Sequence, residues 1–121
     1  MASLNKVLLI GNITADLELK QTTAGKSVCS FSIAVNRPFV KDENAQNVDF
    51  VNVVAWEKQA EFIAAYFSKG DPIFVSGRMQ VRTWTDAEQV KRYSTEVIAD
   101  EVSFVRSKLQ NAPDGSSNEK N

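Results

Sequence analysis

The sequence predicts an all-β domain interrupted by one short helix. Two observations carry that prediction. Runs of β-branched and aromatic residues, several of them alternating, fill the chain up to about residue 106, separated by turn-forming stretches. One segment, between Glu57 and Lys69, changes to helical spacing.

Taken in order, residues 4–11 (LNKVLLIG) are an apolar strand ending at Gly11-Asn12. Residues 17–21 are short and mixed, and Thr22 to Lys26, with Gly25, form a turn. Residues 28–36 put Cys29, Phe31, Ile33 and Val35 on one face. Residues 48–57 put Val51, Val53 and Ala55 on one face and Phe50, Asn52 and Trp56 on the other. Ala60, Ile63, Ala64 and Phe67 then recur at i, i+3, i+4 and i+7, an amphipathic helix with Lys69 in its last turn and Gly70 as its stop. In residues 72–85, Ile73, Val75, Gly77, Met79 and Val81 form an apolar face, while Ser76, Arg78, Gln80, Arg82 and Trp84 form a polar one. Residues 91–105 are the last strand, and 38–47 and 86–90 are hairpin-like loops. Five main strands with a helix between the third and fourth is the element order of the OB-fold, a five-stranded Greek-key barrel. The domain reads as residues 1–106, followed by a flexible tail at 107–121 that holds no Phe, Trp, Tyr, Val or Ile.

Composition narrows the function. The 14 Lys and Arg are balanced by 15 Asp and Glu, so any nucleic-acid partner must be argued from charge placement, not from the sum. Histidine is absent, which removes His-dependent triads and zinc sites that use His. The single cysteine, Cys29, cannot form an internal disulfide and reads as a small core residue. Asp49, Glu57 and Glu61 stand alone, without the pairing of a catalytic dyad or a metal site. There is no Walker-type loop and no G-x-S-x-G elbow, so an enzyme is not expected, nor a cofactor. The apolar run Val7 to Ile10 is too short for a signal peptide or a membrane span, and the expectation is a cytoplasmic protein without a membrane partner.

The informative signal is where the aromatics fall. Trp84 shares a face with Arg78 and Arg82, and Phe50 and Trp56 lie opposite a small apolar set. Two strands that each send aromatics away from their aliphatic side suggest a common outer platform on which bases could stack. Arg37 and Lys41 flank Phe39, and Lys91-Arg92 precede Tyr93. Acids such as Asp16, Glu18, Asp100 and Glu101 fall on other segments, so the balanced charge is expected to be polarised in space. Two other readings stay open: Phe39, Phe50 or Trp56 as a second core under the helix, and the outer aromatics as an interface between subunits.

With these residues placed, the chain resembles the bacterial single-stranded DNA-binding proteins. The resemblance runs from Asn5 to about Phe104. It rests on the order and spacing of Asn5-Lys6-Val7-Leu8-Leu9-Ile10-Gly11, Phe31 to Arg37, Asp49 to Trp56, Lys69-Gly70, Gly77-Arg78, Arg82-Thr83-Trp84-Thr85 and Tyr93 to Val97. It implies an OB-fold, a homotetramer, single-stranded DNA bound with little sequence preference, and no catalysis. It implies base stacking on Trp84, Trp56, Phe50 and Phe39, and phosphate contacts from Lys6, Arg37, Lys41, Lys58, Arg78, Arg82 and Arg92. Relatives end in an acidic, Pro-Phe-tipped tail that recruits replication and repair proteins. This sequence stops at Asn118-Glu119-Lys120-Asn121, so that recruitment is not carried over. A naturally short member, such as a phage or plasmid one, and a shortened form are both open. So are an RNA-preferring or primosomal OB-fold and a β-barrel scaffold.

Overall fold

The alternating runs become strands, in a computed structural model that describes residues 1–38 and 47–106. They are β1 (Val7–Ile13), β2 (Lys20–Gln21), β3 (Ser27–Asn36), β4 (Val48–Trp56), β5 (Pro72–Thr85) and β6 (Lys91–Phe104), with α1 (Glu57–Tyr66) between β4 and β5. Phe39, Lys41 and the tail at 107–121 lie outside the described residues. The mixed segment at 17–21 yields only the two residues of β2.

Pairing runs in the order β1-β5-β6-β4-β3-β2. β3 returns to β1 through Asn12–Ala34 and Ile13–Ile33, so the five long strands close into a ring. The β4–β6 seam is parallel and short, Val53 opposite Val97 and Val54 opposite Ile98; the other pairings are antiparallel. This is the OB-fold that the element order predicts, with the two-residue β2 appended to β3. Inside the ring, Ile13, Cys29, Ile33, Val53, Ala55, Ile73 and Val75 are buried, the alternate residues of their strands. Burial pushes the Cys29 thiol pKa up, as befits a core residue.

The helix α1 lies against β3, β4 and β6 and buries Ala60 and Ile63. Two carboxylates fix its angle: the Ser27 amide donates to Glu57 Oε1 at 3.2 Å, and Ser27 Oγ donates to Glu61 Oε2 at 3.1 Å. These acids therefore tie the helix to β3, a role their sequence positions do not reveal. The helix ends at Tyr66, before the Lys69 end that its spacing predicts. Phe67 turns to extended backbone, is buried, and stacks on Phe104 with ring centroids 4.9 Å apart. Lys69 and Gly70 fall in the next turn, where Gly70 takes a φ of 93° and the Asp71 carboxylate accepts from the Ser68 amide.

β5 and β6 form the longest ladder, and it outruns the barrel. Pairing extends from Ile73–Phe104 to Thr85–Lys91, with a bulge at Ser76/Gly77. At the bulge Gly77 packs so closely on the Ile98 carbonyl that a Cβ there would overlap it. Beyond this point the apolar face predicted for β5 leaves the core: Met79 and Val81 are 50% and 57% exposed, whereas Ile73 and Val75 are fully buried. The alternation persists, but among the described residues no other strand covers it. Asn5 caps the free edge by imitating a strand residue: its Nδ2 donates to the Met79 carbonyl at 2.6 Å and its Oδ1 accepts from the Met79 amide at 2.8 Å. At the tip, Asp86 Oδ1 accepts from the amides of Glu88 and Val90, both at 2.9 Å, and Oδ2 accepts from Arg92 Nε at 2.9 Å.

Two outcomes follow from this geometry. Gly77→Ala should destabilise the domain by about 1–3 kcal/mol, the range for overpacking against an unyielding neighbour, read as a lower urea midpoint. An unchanged midpoint would contradict the close approach. The second concerns the hairpin tip. The Val90 amide first, then Arg92, hold the Asp86 carboxyl below its ordinary value of 3.8. A depressed folded pKa stabilises the tip above the unfolded value, and that contribution is lost as pH falls through the folded one. The Glu88 and Val90 amide protons should therefore titrate together by NMR with a midpoint below 3.8; a midpoint at or above it would contradict these bonds.

Candidate nucleic-acid interface

The parallel seam determines which side chains share the outside. Val53 and Val97 point into the core, so their neighbours Val54 and Ile98 form an outer row. Alternation from that row puts Phe50, Asn52 and Trp56 of β4 on the outer face, with Arg92, Ser94 and Glu96 of β6. The β5–β6 register adds Arg78 opposite Ile98, Gln80 opposite Glu96, Arg82 opposite Ser94 and Trp84 opposite Arg92. β3 supplies the small residues Ser30, Ser32 and Ala34 beside Val54, Asn52 and Phe50. Three adjacent strands thus carry one face of two tryptophans, a phenylalanine and three arginines over a floor of Val54 and Ile98.

None of these aromatics is core. Trp56 and Trp84 are 39% and 40% exposed and Phe50 is 67% exposed. That overturns the reading of Phe50 or Trp56 as a second core under the helix. Trp56 is the last residue before α1, and Glu57 makes the sharp turn with a φ of 54° while Trp56 stays extended. Trp84 carries the Arg82 guanidinium over its ring at 4.6 Å from the centroid, a cation–π contact.

The other predicted cations divide. Lys6 is exposed between Val7, the first residue of the β1–β5 register, and Asn5, whose side chain binds the Met79 backbone, so it lies near Arg78 at the edge of the face. Lys58 is exposed in the first turn of α1, two residues beyond Trp56. Arg37 does not share the platform. It pairs with Asp49 at 2.7 Å, and Asp49 alternates with Phe50 on the opposite side of β4. That pairing holds the Asp49 carboxyl below its usual range. Lys91 and Tyr93 also take the opposite side of β6 from Arg92, with Lys91 Nζ 5.8 Å from the Tyr93 ring centroid.

The expected separation of charge is not found at the arginines. Arg78 Nη1 is 3.6 Å from Asp100 Oδ1, Arg82 Nε is 3.4 Å from Glu96 Oε2, and Arg92 Nε is 2.9 Å from Asp86 Oδ2. Each of the three platform arginines has its own acid: β6 returns antiparallel beside β5 and carries Glu96 and Asp100 to Arg82 and Arg78, and the hairpin tip carries Asp86 to Arg92. The sequence signal for this exists only once the register is known, since 14 residues separate Arg82 from Glu96. Asn5 stands in the sequence only as part of a motif, with nothing to mark it as the edge cap it is. Among the described residues no three His, Cys, Asp or Glu side chains gather as a metal site. Chemically, the face offers flat π surfaces and paired cations, which suits a ligand with both aromatic rings and anionic groups.

Known proteins place this architecture. The Single-strand binding protein family matches residues 4–105. A Single-stranded DNA-binding protein 1 of Staphylococcus aureus is 42% identical over 108 residues, 89% of this chain and 69% of its own length. A Single-stranded DNA-binding protein 3 of Listeria innocua is 41% identical over 118 residues, 98% of this chain and 73% of its own. A Single-stranded DNA-binding protein 3 of Clostridium acetobutylicum is 48% identical over 103 residues, 84% of this chain and 71% of its own. The match spans every strand and the helix, platform included, and the chain belongs to the single-strand binding protein family.

Proposed function

We propose that this chain binds and protects single-stranded DNA without strong sequence preference, in replication, recombination and repair in a bacterial cytoplasm, and catalyses nothing. The observation that carries the reading is the single outer face uniting Trp56, Phe50 and Trp84 with Arg78, Arg82 and Arg92. Bases stack on the rings, since every base has a π-face, and the arginines and Lys6 approach the phosphates. Lys58 and Arg37 extend the contact where the strand leaves the platform, and Phe39 and Lys41, outside the described residues, are further DNA contacts on this reading. Duplex DNA is disfavoured because its bases are already stacked and their faces are hidden.

Self-association into a homotetramer belongs to the same reading. β1 pairs with β3 only at Asn12 and Ile13, and Gly11 packs on Ala34 and Val35, so among the described residues Val7 to Ile10 pair with β5 alone. Leu8 and Ile10 on that strand are 60% and 56% exposed. An open edge with exposed aliphatics supports pairing with a second copy.

Oligo-dT should quench the tryptophan fluorescence, equal-length duplex should not, and an equal length of oligo-rU should compete less well. Unchanged fluorescence with oligo-dT would overturn the reading, and stronger competition by RNA would shift it to an RNA-binding OB-fold. Trp84→Ala should weaken oligo-dT binding by about 1–3 kcal/mol, the range for aromatic–base stacking in such proteins, this family among them. If binding instead stays intact while the tetramer dissociates, the outer aromatics are a subunit interface.

A further inference from the structure

The platform arginines are already occupied in the free protein. Arg82 is held between the Glu96 carboxylate at 3.4 Å and the Trp84 ring at 4.6 Å, and Arg78 lies 3.6 Å from Asp100. Both acids are on β6 and both arginines on β5. Each contact is long, 3.6 Å and 3.4 Å at its closest nitrogen–oxygen approach, so each holds weakly. A phosphate oxygen can take over either guanidinium. The displaced carboxylate cannot leave, because its backbone is locked in the β5–β6 ladder.

We propose that Glu96 and Asp100 are built-in competitors for the DNA phosphate at Arg82 and Arg78, and so set both the affinity of the platform and its response to salt. The proposal rests on the single-stranded DNA reading above. When a phosphate displaces Glu96 from Arg82, a carboxylate is left beside a bound anion. The Glu96 side chain is only 15% exposed, so water screens it poorly. Across from it on β5 is Gln80, and on β4 the outer residues Asn52 and Val54 carry no charge. The nearest other charges on its own strand face are Arg92, which Asp86 already holds, and Asp100. The uncompensated charge therefore draws in a salt cation. Phosphate neutralisation releases cations from the DNA, with a log-log slope near −0.7 per phosphate on single strands. Uptake at Glu96 and Asp100 offsets part of that release, so the platform loses less affinity to salt than its arginines alone imply. Asp86 is not a competitor of this kind, because its other oxygen shapes the hairpin tip.

The test uses the whole chain, oligo-dT and a series of NaCl concentrations. Asp100→Asn should tighten oligo-dT binding at low salt by up to about fivefold, the strength of an exposed pair, and Glu96→Gln, at a less exposed carboxylate, by at least as much. Each should steepen the log-log salt slope by up to about 0.7. Glu96→Asp keeps the charge and should keep the wild-type slope. A merely structural role would weaken binding and leave the slope alone, so weaker or equal affinity with unchanged slopes in both amides overturns the proposal. If Glu96→Gln fails to fold, Asp100→Asn, on a 54% exposed side chain, decides the matter alone. Loss of oligo-dT binding by the wild-type protein would instead overturn the single-stranded DNA reading itself.

Discussion

The approach of two backbones at Gly77 organises this domain. With no Cβ to hold them apart, β5 packs onto the Ile98 carbonyl, and the strands stay paired across a bulge between Ser76 and Gly77. On one side of it, Ile73 and Val75 fill the barrel with Val102. On the other, Arg78 to Trp84 continue outward on a two-stranded arm. Ile98 is also the residue that lies beside Val54 across the parallel seam. One close contact therefore joins barrel closure to the alignment of β4 aromatics with β5 arginines. Among the described residues the arm has no core beneath it, and its order comes from the ladder, from Asn5 at its edge and from Asp86 at its tip.

Whatever depends on neighbours within one strand is legible in the sequence. Alternation by itself separates Phe50 and Trp56 from Val51, Val53 and Ala55, and Trp84 with its arginines from Ile73 and Val75. It cannot tell where the core ends. Met79 and Val81 repeat the pattern of Val75, and they are exposed because among the described residues no strand covers them. Helical spacing finds α1 through Ala60 and Ile63, yet its end is moved by Phe67 leaving for Phe104, a residue far along the chain. The acids are the hardest case. Glu57 and Glu61 find Ser27, and Glu96 and Asp100 find arginines, only through contacts that no local pattern encodes.

These pairings explain how a chain with 14 cations and 15 acids can present a surface for a polyanion. A bare row of Arg78, Arg82 and Arg92 would repel itself, and each guanidinium would wander through many rotamers before a ligand arrived. A carboxylate beside each one removes the repulsion and holds the long side chain over the strand. At Arg82 the Trp84 ring adds a second hold from the other direction. The cost is attraction: a neutralised arginine steers a phosphate from afar much less than a free one.

Stacking compensates for that loss, because it does not depend on net charge. The rings of Trp56, Trp84 and Phe50 present apolar area that any unpaired base can cover. On the proposed reading, a strand held mainly by such contacts would register on the platform through its bases before its phosphates met the guanidiniums. The order matters, since a phosphate must displace a carboxylate while a base needs only to shed water. On the single-stranded DNA reading proposed above, contact through the rings would precede the charge exchange at Arg78 and Arg82. A near-neutral OB-fold is therefore suited to a ligand recognised by its exposed bases, and poorly suited to one that offers only its backbone.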